Sequence, residues 1–205
     1  MTSSPRSRAP KRRLRLGVAV LLQFALALLG LTFPHDSTAQ SAQLPISIQA
    51  DLMVKVAGFD RNFRARAGDR VIVILAAADD SGSMRAAMEM KSALSRVPRI
   101  ADLPHEEHII TSTSAAVIAN AARERRAAIV YFAPGYSSHI PAIREAFSSL
   151  NVLTVGAVPE YVPAGIVLGF DLVSGHPKLL VHVLQARKQQ VAFPASVLNL
   201  MKVYQ

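Results

Sequence analysis

Val71-Ile72-Val73-Ile74-Leu75-Ala76-Ala77-Ala78 is an unbroken apolar run, and its β-branched first half predicts a strand. A strand with one wet face would alternate polar and apolar residues. This one does not, so it is expected to be covered on both faces, as central strands of parallel sheets are. Ala67-Gly68-Asp69 turns the chain into it, and Asp79-Asp80-Ser81-Gly82-Ser83 follows with caps and turn formers. Met84, Ala87, Met88, Lys91, Ala93 and Leu94 then recur as on an amphipathic helix, which Pro98 ends.

The same cycle continues toward the carboxyl terminus. Glu107 to Thr111 reads as a short strand, Ser114 to Arg126 as a helix and Ala127 to Ala133 as a second apolar strand, punctuated by Pro134-Gly135. Ser138 to Leu150 places Ile140, Ile143 and Phe147 on one helical side, and Asn151 to Val155 returns as a strand. Strands that alternate with helices pair in parallel through right-handed crossovers. The expected fold is therefore α/β, a three-layer α/β/α sandwich with a mostly parallel, doubly wound sheet. Gly165 to Leu172 and Lys178 to Val183, joined by Val173-Ser174-Gly175-His176-Pro177, suit an antiparallel hairpin at one sheet edge. Helical patterns start near Leu184 and again at Pro194.

Toward the amino terminus, Leu52, Val56 and Phe59 predict a helix over Ser47 to Gly58. Before it, Arg6, Arg8, Lys11, Arg12, Arg13 and Arg15 precede the uncharged Leu16 to Phe33, and Ser37-Thr38-Ala39 offers a small-residue site. That order is the pattern of a secretory signal cut after Ala39. The apolar run is also just long enough for an uncleaved membrane anchor. The organisation expected is a signal peptide over residues 1–39 and a single domain over 40–205, outside the cytoplasm.

The signal region holds six basic residues against Asp36 alone, so it supplies five of the nine net positive charges and leaves four to the body. Those are scattered, and tryptophan is absent, which argues against nucleic acid as a partner. Cysteine is absent too, so stability has to come from an apolar core.

Several short motifs bear on chemistry. Asp79-Asp80-Ser81-Gly82-Ser83-Met84 has the Asp-x-Ser-x-Ser-Met form of von Willebrand factor A domains, in which Asp79, Ser81 and Ser83 would set hard oxygen ligands around Mg²⁺ for an acidic partner. The same residues are ordinary helix caps, and a metal site of that kind needs a distant threonine and aspartate. Thr154 lies inside an apolar strand and Asp171 follows only seventeen residues later. His105-Glu106-Glu107-His108 lacks the helical four-residue histidine spacing of zinc proteases, and Gly135-Tyr136-Ser137-Ser138-His139 lacks the last glycine of a nucleophile turn. No dinucleotide fingerprint and no phosphate loop follows a strand, which leaves nucleotide binding unsupported. Arg123-Glu124-Arg125-Arg126 is a charged helix end that could meet an acidic partner or anionic headgroups. An open α/β sheet could also hold a small molecule beyond its strand ends. The set of motifs designates no catalytic, cofactor or metal residue.

Lys55-Val56-Ala57-Gly58-Phe59-Asp60-Arg61-Asn62-Phe63, Ala67-Gly68-Asp69, Ile129 to Pro134, Asn151 to Val155 and Gly165 to Phe170 together resemble the YfiR-like family, and Phe193 to Val203 resembles its terminal helix. His182 stands where the family's asparagine is expected, Gln190 where a glycine is expected, and the cysteines of its best-known member are missing. The resemblance implies an exported α/β protein without enzymatic activity or cofactor. By analogy with that member it would regulate a membrane-bound signalling protein, such as a diguanylate cyclase or a sensor kinase, from the periplasmic side. A homodimer is implied only by the resemblance. The reading from another class is the metal-dependent adhesion-type module built on Asp79, Ser81 and Ser83.

Overall fold

A computed structural model describes residues 43–205, so the expected signal peptide, its cleavage site and the alternative anchor lie outside the described residues. No described helix is long and apolar enough to cross a membrane. In chain order the elements are α1 (Ile46–Ala57), α2 (Phe63–Ala67), β1 (Val71–Ala77), α3 (Ser81–Leu94), β2 (His105–Thr111), α4 (Ala115–Glu124), β3 (Ile129–Phe132) and α5 (Ile140–Phe147). They continue with β4 (Leu153–Gly156), α6 (Tyr161–Ala164), β5 (Leu168–Val173), β6 (His176–His182), α7 (Val183–Lys188), α8 (Ala195–Leu198) and β7 (Met201–Tyr204).

The strands form one sheet in the order β2-β1-β3-β4-β5-β6-β7. All neighbours pair in parallel except β5 and β6. The chain leaves β1 toward β2, then returns past β1 to β3, so right-handed crossovers put α3 and α4 on opposite faces. α1 packs with α3, and α4 with α5, which makes the three layers. β1 is covered as its sequence predicts: Val73 through Ala77 are fully buried.

The antiparallel hairpin forms where expected, with Leu168 paired to Val181 and Val173 to His176. It does not end the sheet. The stretch read as a terminal helix, Phe193 to Val203, is a single helical turn followed by β7, which pairs with β6 from Leu179–Met201 to His182–Tyr204 and forms the edge. Local periodicity could not separate the two, because a four-residue strand is set by the backbone of its neighbour rather than by its own pattern. The face of α1 also differs from the reading. Gln49, Ala50, Met53, Val56 and Ala57 are the buried positions, Leu52 is half-buried and Phe59 is exposed, because the chain turns at Gly58 before Phe59 can reach the core.

Candidate functional site

In a doubly wound sheet, ligands bind beyond the carboxyl ends of the strands where the winding reverses. Here that point lies over β1 and β3. The chain fills it with its own side chain. Tyr136, just after β3, reaches across the end of β1, and its hydroxyl donates to Ser112 O after β2 at 2.7 Å. Its ring is fully buried and meets Phe132 and His139 edge to face. The Tyr136 backbone N–H donates to the Tyr161 hydroxyl at 2.7 Å, which itself donates to Ala133 O at 3.3 Å. Burial, and then the nearby Asp79 carboxylate, push the Tyr136 phenol well above the ordinary tyrosine range, and burial likewise raises Tyr161. Both are neutral hydrogen-bonding struts. The chain's own Tyr136 ring thus occupies the switch point where such a sheet could hold a small molecule.

The Asp79 to Met84 motif borders this seam, and its groups divide their work. Asp80 is the N-cap of α3, its Oδ1 accepting the Ser83 N–H at 2.8 Å. Ser83 is buried, and its hydroxyl accepts the Ala78 N–H at 2.7 Å, which ties the helix start back to β1. Asp79 and Ser81 are exposed. Thr154 is fully buried in β4, donating to Gln189 Oε1 at 3.0 Å and accepting the Val167 N–H at 3.1 Å, so it is not a loop threonine free to face these residues. Asp171 Oδ1 accepts its neighbour's N–H, from Leu172. Among the described residues no three His, Cys, Asp or Glu side chains gather at metal-holding distance.

The other singled-out motifs have structural partners. His105 Nδ1 contacts Glu107 Oε1 and Nε2 contacts Val97 O, so this histidine pins β2 to the segment after α3. His108 pairs with Glu106, which also meets Arg70. Ser137 and Ser138 are exposed beside the Tyr136 seam.

A dense polar cluster lies at the opposite, amino ends of the strands, in a motif the sequence reading treated only as the exit of a helix. Asp60 Oδ1 accepts N–H groups from Asn62 and, across the fold, from Ala192 at 2.8 Å. Its Oδ2 accepts Arg66 Nη1 at 2.6 Å. Arg66 directs its remaining nitrogens to Asn151 Oδ1 (2.7 Å) and Gln190 O (3.1 Å), and Asn62 Nδ2 also donates to Gln190 O. One carboxylate and one guanidinium thus fasten the corner between α1 and α2 to the start of β4 and to the segment after α7.

Both departures from the family pattern fall at positions with a definite structural task. Gln190 has φ 57°, the left-handed region where glycine is favoured, because its carbonyl must turn toward Asn62 and Arg66. His182 is the N-cap of α7, its Nδ1 accepting the Gln185 N–H, which is the task an asparagine performs. Burial, followed by the charge of Arg144, holds this imidazole below its ordinary value. A signal for the cluster was present in the sequence, a lone Asp six residues before an Arg across a short turn, but nothing local points to Ala192.

Comparison with known proteins agrees with this geometry. The family model described as YfiR/HmsC-like, DUF4154, matches residues 47–202. No curated protein matches the sequence. Among solved structures, a conserved domain protein from Vibrio cholerae superposes with a TM-score of 0.56 at 12% identity, covering 78% of this chain and 60% of its own. A substrate-binding protein with adhesive properties from Clostridium difficile, in its ligand-free open form, gives 0.52 at 10% identity, with 70% and 57% covered. The ABC domain in complex with L-Trp from Streptococcus pneumonia gives 0.50 at 12%, with 73% and 62% covered. The chain spans about three fifths of the length of each, and at these identities the likeness is one of fold.

Proposed function

We propose, for a chain that belongs to the YfiR/HmsC-like family, that it is a periplasmic regulatory protein which acts by binding the periplasmic part of a membrane signalling protein, without catalysis. The observation that carries this reading is the family match across residues 47–202, which takes in the Asp60–Arg66 cluster and all of the sheet but the last two residues of β7. The seating of Tyr136 over the end of β1 supports it, because the place where open α/β sheets hold ligands is occupied by the chain itself.

Such a domain regulates by mass action: binding one conformation of its partner biases that partner's equilibrium, with coupling of about 1 to 3 kcal/mol in typical cases. A diguanylate cyclase or a sensor kinase is the proposed class of partner. Export by the amino-terminal signal and a single domain over residues 40–205 belong to the same proposal.

The test is crosslinking in envelope fractions with the tagged protein, capture, and identification of partners, together with the signalling output of a deletion strain. Capture of a membrane signalling protein and a changed output are expected. No membrane partner and an unchanged output refute the regulator, and capture that chelation of Mg²⁺ abolishes moves the reading to the Asp79 motif.

A further inference from the structure

At the amino ends of the strands, next to the Asp60–Arg66 cluster, a cavity of about 270 Å³ opens between the end of α4 and the start of β4. Ala65, Ala122, Leu150 and Val152 give it apolar walls, and Arg123 and Arg126 add charge. Its volume lies just below the roughly 300–1,000 Å³ of small-molecule sites, and its lining combines apolar side chains with polar ones.

The two arginines are not spent on the fold. Arg123 donates once, from Nη1 to Asn120 Oδ1 at 2.7 Å, and Arg126 has no ion-pair or side-chain hydrogen-bond partner among the described residues. Arg66 differs, with all of its donor nitrogens engaged, so it and Asn151 make a fixed wall rather than a ligand group. Cations in the last turn of a helix also complement its dipole, and that alone would account for Arg123. For Arg126 it leaves the backbone conformation unexplained. The Ala127 N–H bonds back to Ala122 O and the Arg126 N–H to Arg123 O, the closing turn of a helix whose left-handed position is usually glycine. Arg126 takes that position with φ 52° and lines the cavity.

We infer that this cavity binds a small organic anion, a carboxylate or phosphate carried on an apolar body, with the Arg126 and Arg123 guanidinium groups on the acid and the alanine, leucine and valine side chains against the body. Guanidinium forks suit both acids through paired hydrogen bonds. The inference stands apart from the identity of the chain's protein partner.

The experiment is an amide NMR titration of the purified protein with phenylphosphonate, with inorganic phosphate and benzyl alcohol as separate probes. Saturable shifts are expected at Arg126, Ala127, Asn151 and Val152, with inorganic phosphate and benzyl alcohol each at least about tenfold weaker. Arg126→Gln should weaken phenylphosphonate by about tenfold or more. Arg126→Gly should melt at the same or a higher temperature and still lose binding, which separates the ligand role from the fold. Shifts that are absent or spread over the surface, an Arg126→Gln protein that binds as the parent does, or either control probe binding as tightly as phenylphosphonate overturns the inference.

Discussion

The Arg66 guanidinium and the Asp60 carboxylate meet at 2.6 Å with their side chains 2% and 0% exposed, so neither charge has water to fall back on. Removing one partner leaves the other buried and unpaired, which costs about 3–5 kcal/mol. Asp60→Ala and Arg66→Ala are each expected to lose stability of that order in urea unfolding, and the double variant less than the sum. Full additivity would show that the pair is not coupled.

His182 makes stability depend on pH. Its folded value lies below the ordinary 6.5, so the unfolded chain takes up the proton first, and an imidazolium cannot accept the Gln185 N–H. The stability present above 6.5 is therefore lost as pH falls from there toward the lowered folded value. Between about pH 8 and about pH 5 the urea midpoint should fall further for the parent than for His182→Asn, which keeps a cap without a titrating group. Equal slopes would remove His182 as the cause.

Gln190→Gly should stabilise the protein by up to about 1 kcal/mol, since the left-handed position costs a side-chain-bearing residue more than glycine. The change in thermal midpoint reads this directly, and a fall would mean that the Gln190 side chain contributes more than its backbone costs.

Gly135 has φ 104°, and a Cβ there would lie 2.8 Å from Asp80 Oδ2 and 3.0 Å from Ala78 Cβ. Gly135→Ala is expected to cost about 1–3 kcal/mol and to speed hydrogen exchange at the Ser83 N–H, because the cap must move. Unchanged exchange would show that the loop yields elsewhere.

Asp79 and Asp80 are expected to behave differently despite being adjacent. Asp80→Ala should cost about 1 kcal/mol as a lost N-cap, with or without Mg²⁺, and Asp79→Ala should be close to neutral. A Mg²⁺-dependent rise in melting temperature that Asp79→Ala abolishes would establish the metal site instead.

The layers were legible because β1, β3 and β4 are buried on both faces, so burial alone dictated continuous apolar runs such as Val71 to Ala77. β7 was not, since Met201 is its one buried residue and its partner is β6, not its own sequence. The polar cluster was half legible. Asp60, Asn62 and Arg66 stand together in the chain, but the Ala192 N–H that completes Asp60 is supplied by the fold. Gln49, which donates to Leu44 O and Ala157 O and accepts from Tyr131, carried no signal at all, because a glutamine on an otherwise apolar helix face looks like a surface residue until its partners are known.

The span between Asp60 and Ala192 is 132 positions, which makes the domain late to finish. A chain emerging amino end first presents the Asp60 carboxylate long before residues 190–192 exist to receive it, and bringing such distant segments together is the slow part of folding. Until then the corner between α1 and α2 lacks its partner from the far end of the chain. The fold is completed less like a zipper than like a clasp, whose two halves are made at the beginning and near the end of synthesis.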